Sequence, residues 1–414
     1  MKKFFRSLTI FITFILEIIF AICAYIYYET PDNYRVTTDC SLITENIFPV
    51  RAAMVQKEAQ VPTLAGSKRN DTVVHTASIT FLSVPIKNVN LEYVDNQRVI
   101  PCGQPFGVKI FTKGVVVVGI SDVKTRYGIE RPAKKMGIKK GDIILRVNQE
   151  EIRDNDQMLD VVQRNSNSDV VFEVLRGNIL FEISTKPVLG DDNLYHVGIW
   201  VRDSSAGVGT LTFFDKDTNF FAGLGHGICD IDTGDLLPLS HGEIVKASIN
   251  GIVKGRRGVP GELKGYFIES DPIGELLNNT TCGVFGYLNG PISEAKPVTV
   301  AMKQQIKIGR AQIMSTIDGV TPDYFEINIE SINYNERQPC KNMVIKITDE
   351  RLLEQTGGII QGMSGSPILQ DGMLVGAITH VFVNDPQKGY GIFAENMLPV
   401  CAESPADTNN ALAS

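Results

Sequence analysis

From His196 onward the sequence breaks into short segments of alternating apolar and polar residues separated by glycine: "HVGIWVRD", "GVGTLTFFD", "NFFAGLGHGI", "GEIVKASINGIVKG", "TCGVFGYL", "IKIGRAQIM", "YFEINIESI" and "MLVGAITHVFV". A period of two with a turn every few residues cannot bury one face of a helix, so this stretch must pair into sheets. So many short strands at such spacing imply a sandwich or a pair of barrels. An all-β unit is expected over residues 190–402, with a disordered tail over 403–414. With 43% hydrophobic and 21% charged residues, core material is ample. The net charge of -7 excludes the basic surplus that a phosphate backbone requires, so nucleic acid is not an expected partner.

The N-terminus has a different chemistry. Leu8 to Tyr28 are apolar except for Thr9, Thr13 and Glu17. As a helix they would reach about 31 Å, enough for the hydrocarbon core of a bilayer. Lys2, Lys3 and Arg6 precede the run and predict a cytoplasmic tip, with the bulk of the chain exported. The run is long for a cleavable signal and offers no clear small-x-small cleavage site, so residues 1–30 read as an uncleaved single-pass membrane anchor. Residues 31–100 read as a spacer with some β structure, including "VVHTASITFLSV".

Between residues 101 and 187 strands and helices mix. "PFGVKIFTKGVVVVGI" predicts two strands about a Lys113-Gly114 turn, and "DNDQMLDVVQRN" predicts a helix capped by Asp154 or Asn155. Ala133, Gly137, Ile138, Gly141, Asp142, Ile144, Val147 and Asn148 resemble the PDZ domains attached to exported bacterial proteases. That resemblance implies an α+β unit whose Φ-Gly-Φ loop, matched by Phe106, Gly107 and Val108, holds a peptide carboxylate while a strand pairs with the peptide.

The chemistry centres on "QGMSGSPILQDG". Ser364 stands where trypsin-like peptidases place a nucleophile, in the pattern G-x-S-G-x-P, and the glycines around it permit the backbone that turns the Gly362 and Ser364 amides into an oxyanion hole. Ser366, beside Pro367 at the start of the next strand, reads as a structural hydroxyl. Among the five histidines, His226 in "FAGLGHGICD" is the best base, being ringed by small residues at a strand end. His380, on the strand after the nucleophile loop, is placed to line a substrate pocket. For the acid, Asp271, Asp318, Asp323 and Asp349 all remain open on spacing. Seven scattered cysteines form no CxxC or Cys/His cluster, so no metal site and no cofactor is expected.

The apolar N-terminus, the PDZ-like unit, "GLGHGI" and "TGGIIQGMSGSPILQDGMLVGAITHVFVNDPQKGYGI" together resemble the stage IV sporulation protein B family, signalling serine peptidases of endospore-forming bacteria. The resemblance implies a trypsin-like double β-barrel and a triad of His226, Asp349 and Ser364, and it alone selects Asp349. It further implies self-cleavage, cutting of a membrane-tethered regulator that leads to sigma factor activation, and a location between the mother-cell and forespore membranes. The alternative function is a PDZ scaffold with an inert protease-like domain.

Overall fold

The computed structural model describes residues 2–37, 50–55, 75–82, 84–268, 271–293 and 295–399. The polar stretch Ala65 to Thr72, the tail beyond residue 402, Cys40 and Cys401 lie outside the described residues. Lys2–Glu29 is one helix, long and apolar enough to cross a membrane, a property that an anchor and a signal sequence share. Most of its apolar side chains, Phe11, Phe14 and Phe20 among them, face outward. Only its last turns pack on protein: Ile19, Cys23 and Ile26 meet a core built on Val36, Ile79 and Leu91. That core belongs to a small sheet in the order Asn33–Val36, Val84–Tyr93, His75–Phe81, Val50–Val55.

The rest of the described chain is mainly β and carries four cores, one in the PDZ unit, one in each of two barrels and one between the barrels. The PDZ unit buries Val115, Val117, Ile144, Val161 and Phe172 beneath the helix Asn155–Arg164. Asp154 caps that helix by accepting from the Gln157 amide at 2.7 Å. Asp142, in the run that resembles PDZ domains, buries its carboxylate completely and pairs it with Arg176 at 2.6 Å.

Two six-stranded barrels follow. The second closes entirely within its own stretch, through Gly309–Ser315, Asp323–Ile332, Met343–Ile347, Asp385–Phe393, Met373–Phe382 and Pro367–Gln370. The first recruits its closing strand from much earlier in the chain. Pro105–Ile120 is one continuous strand rather than two about a Lys113-Gly114 turn: its first half pairs with Leu239–Val253 and with Ile199–Phe214, closing the barrel, and its second half enters the PDZ sheet. Ile199–Phe214 is equally long and divides its length in the same way. The two units are therefore joined by two unbroken strands, and the expected division at residues 187–190 cuts through a barrel that needs residues 105–112.

This geometry corrects one reading of the sequence. Phe106, Gly107 and Val108 do not form a peptide-carboxylate loop. Each has a partner on both sides, Gly209, Val208 and Gly207 on one strand and Lys246, Val245 and Ile244 on the other, so their backbone has no free edge to offer. Phe106 and Val108 are buried in the first barrel, and a Cβ on Gly107 would fall 2.5 Å from Phe267 and Val245. Gly107 is there because a sheet face is approached closely, which is a packing reason.

The shared strands carry a consequence for truncation. A fragment of residues 190–402 lacks one of the six strands of the first barrel and should lose that barrel's unfolding transition, keeping at most that of the self-contained second barrel, whereas residues 98–402 should keep both barrels folded. A soluble 190–402 fragment that a fluorophosphonate labels would contradict this topology.

Candidate active site

His226 and Ser364 come from different barrels, yet both line one cleft of about 450 Å³. His226 follows the strand Phe220–Gly223, where Leu224 and Gly225 take left-handed φ values of 66° and 67° to swing the chain toward the second barrel. A left-handed leucine is uncommon and sits next to the site, as strained residues often do. A Cβ on Gly225 would meet Thr379 at 3.0 Å and one on Gly227 would meet the Thr280 carbonyl at 2.7 Å. The glycines beside His226 thus allow close approach of neighbouring chain.

The imidazole donates from Nδ1 to the Gly227 carbonyl at 2.9 Å, which leaves Nε2 as the lone-pair nitrogen available for a proton. Burial lowers its pKa below the ordinary histidine value, against the opposing effect of that hydrogen bond. The ring is therefore held neutral, the form a general base requires. His380 lies beside it with ring centres 5.1 Å apart, on the wall of the same cleft.

The nucleophile loop is fixed amide by amide. Gln361 donates to the Gly261 carbonyl, Met363 to Ile360, Gly365 to Ile378 and Ser366 to Met363. Among the described residues the Gly362 and Ser364 amides, the two expected from sequence to bind an oxyanion, have no backbone acceptor. The Gln361 carbonyl is drawn to the Leu263 amide at 2.8 Å, and because the peptide is trans and planar the Gly362 N–H points the opposite way. Gly362 and Gly365 have φ of 94° and 96°, which a side chain would oppose. Ser364 Oγ donates to the Thr379 carbonyl at 2.7 Å. Ser366 is fully buried and donates to Ser315 at 3.0 Å, a structural role as its place before the strand suggested.

Asp349 is not brought to His226, and no residue lining the cleft is acidic. Its carboxylate instead caps the helix Glu350–Thr356, accepting from the amides of Arg351 at 3.0 Å and Leu352 at 3.4 Å. It also accepts from the Glu326 amide at 3.3 Å and pairs with the Arg351 guanidinium at 3.0 Å. Partial burial opposes its charge, but these hydrogen bonds outweigh burial and hold its pKa below the usual carboxylate value. The orienting role that the resemblance implied is thus corrected to an anchoring one: the capped helix ends at Gly357 and runs directly into Ile359, Ile360 and the nucleophile loop. Among the other candidate acids, Asp323 pairs with Arg351 as well.

A second concavity, of about 510 Å³, lies in the PDZ unit between Met158, Leu159 and Val162 of its helix and the segment Tyr195–Trp200. That segment contains its own Φ-Gly-Φ, Val197-Gly198-Ile199, with Gly198 at φ 74°. From Ile199 to Arg202 the strand pairs with Ile120 to Val116 on one side, and its other edge carries no strand among the described residues. Sequence reading took "HVGIWVRD" for an ordinary strand because the PDZ pattern was matched at its front end.

Comparison with known proteins agrees with this arrangement. Residues 193–398 match the SpoIVB peptidase S55 family, and residues 106–186 match the PDZ domain. The protein is a SpoIVB-like, PDZ-containing serine peptidase. No curated protein matches the chain significantly. Similar solved structures include the inactive form of Rv3671c protease, at 13% identity over 46% of this chain and 80% of that one, with a TM-score of 0.28. The active form of Rv3671c protease from M. tuberculosis is also 13% identical, over 46% and 70%, with a TM-score of 0.27. The HtrA-type protease AlgW with decapeptide is 12% identical over 48% and 53%, with a TM-score of 0.29.

Two outcomes follow from the positions of these side chains. Since burial depresses the His226 pKa, its neutral form persists on acidification, and the acid limb of kcat/KM should fall below the free-histidine value of about 6.5; a limb above 7 would contradict a desolvated base. Asp349→Ala should lower the thermal midpoint by the equivalent of about 1–2 kcal/mol, as loss of an N-cap does, with activity falling in parallel. Lost activity at an unchanged midpoint would instead restore Asp349 to the imidazole.

Proposed function

We propose that this chain is a membrane-anchored serine endopeptidase in which Ser364 is the nucleophile and His226 the general base. The supporting observation is that two side chains 138 positions apart (364 − 226) face one cleft beside two unclaimed amides. Rotation of Ser364 about Cα–Cβ carries Oγ from the Thr379 carbonyl toward His226 Nε2. Its proton passes to Nε2 as oxygen bonds to the peptide carbonyl carbon, and the resulting oxyanion is received by the Gly362 and Ser364 amides. His226 returns the proton to the departing amine, and water hydrolyses the acyl-enzyme by the same path in reverse. The Gly227 carbonyl fixes the imidazole tautomer, the task a carboxylate performs in a full triad.

In the same reading the groove along Val197-Gly198-Ile199 receives an extended peptide end, adding a strand at the edge that Ile199–Arg202 leaves open. The substrate is a membrane-tethered regulatory protein of a sporulation pathway leading to sigma factor activation, and the chain also cuts itself. Tethering through the N-terminal helix raises the local concentration of such a substrate. The exported bulk works in the space between the mother-cell and forespore membranes.

Ser364→Ala in the full chain should abolish both fluorophosphonate labelling and the appearance of shortened self-products on a gel. Band patterns and labelling identical to the unmodified chain would refute the assignment.

A further inference from the structure

The nucleophile loop belongs to the second barrel, but three of its carbonyls are held by the first. Thr210 and Thr212 sit two positions apart near the end of the strand Ile199–Phe214, so alternation places both hydroxyls on one face, toward the loop. Thr210 Oγ1 donates to the Gly362 carbonyl at 2.7 Å, and the Thr210 amide donates to the Ser364 carbonyl at 3.3 Å. Thr212 Oγ1 donates to the Gly365 carbonyl at 2.8 Å. Both threonines are buried, at 2% and 0% exposure, where an unpaired hydroxyl would be costly. The approach is also as close as the backbone permits, since a Cβ on Gly365 would fall 2.1 Å from the Thr210 carbonyl oxygen.

We infer that Thr210 is a positioning residue for the oxyanion hole, acting through the carbonyls of Gly362 and Ser364, whose own amides are the hole's two donors. A glycine at φ 94° has little intrinsic resistance to turning its peptide planes. The plane before Gly362 is set by Leu263, which takes the Gln361 carbonyl. The plane after it is set by the Thr210 hydroxyl, and the plane after Ser364 by the Thr210 amide. The Ser364 N–H lies in the plane between Met363 and Ser364, whose carbonyl accepts from the Ser366 amide and which is flanked by the two planes that Thr210 sets. With that plane held between them and the plane before Gly362 held by Leu263, both donor N–H groups keep their aim before substrate arrives, which is the condition for strong transition-state stabilisation. Thr212 grips the loop one residue further on, beyond both donors, and serves to join the barrels.

This inference rests on Ser364 being the nucleophile, and the experiment separates the two claims. The full chain in detergent is reacted with a fluorophosphonate and titrated with phenylboronic acid, whose tetrahedral serine adduct presents an oxygen to the hole. Thr210→Val, which keeps the side-chain shape and removes the hydroxyl, should slow labelling and weaken the boronate by roughly tenfold or more, within the range for losing part of an oxyanion hole. Its thermal midpoint should fall by no more than that of Thr212→Val, which loses an equivalent buried hydrogen bond, and Thr210→Ser should restore both readouts. Thr212→Val should lower the midpoint while labelling stays near the unmodified rate. A Thr210→Val chain labelled at the unmodified rate, one that loses its unfolding transition altogether, or a Thr212→Val chain slowed equally, overturns the positioning role. An unmodified chain that takes no label overturns the nucleophile assignment and this inference with it.

Discussion

The strand Ile199–Phe214 is the constraint on which the rest of the structure depends. Its first residues form the open edge of the PDZ sheet, its middle closes the first barrel against Pro105–Ile120, and its end hydrogen-bonds the loop that carries Ser364. Backbone pairing along such a strand is cooperative, so groove, barrel and nucleophile loop share one register. A one-residue slip would turn Thr210 and Thr212 away from the loop and expose an apolar face. The apolar layer between the barrels, built on Phe213, Phe220, Phe285 and Leu374, holds the same register from the other side.

The two side chains proposed to be catalytic converge because each barrel delivers one of them at a glycine-rich strand end. Leu224 and Gly225 swing His226 across the barrel interface, and Gly362 and Gly365 turn the Ser364 loop back toward it. The Ser364 loop, entered from the helix Glu350–Thr356, takes its aim from hydrogen bonds to the first barrel, and the His226 ring takes its own from the Gly227 carbonyl. His226 is kept neutral by burial and keyed by a main-chain carbonyl, and Asp349, the carboxylate that the resemblance offered as its partner, is spent on capping a helix.

Much of this was legible in the sequence, for identifiable reasons. Period-two patterning announced the β architecture, and Ser364, Ser366 and His226 occupy the kinds of surroundings that their neighbours in sequence suggested. Local patterns failed where the answer depended on distant pairing. "PFGVKIF" reads as well for a PDZ loop as for a barrel strand, and only its partners near residues 207 and 244 decide between them. "HVGIW" conceals a groove because its helix lies some forty positions earlier. Asp349 has the composition of an acid near a nucleophile, yet the Arg351 guanidinium and three amides hold it where it stands. Thr210 and Thr212 carried a faint signal, two hydroxyls facing inward at the apolar end of their strand, which had no meaning until the loop they grip was in place.

The most direct measurement is a crystal structure of the chain carrying a boronate or phosphonate adduct. The account predicts a covalent bond to Ser364 Oγ, an adduct oxygen about 2.7–3.1 Å from both the Gly362 and Ser364 amides, and His226 Nε2 within hydrogen-bond reach of the adduct. An adduct on another residue, or one on Ser364 whose oxygen faces away from those amides, would contradict it.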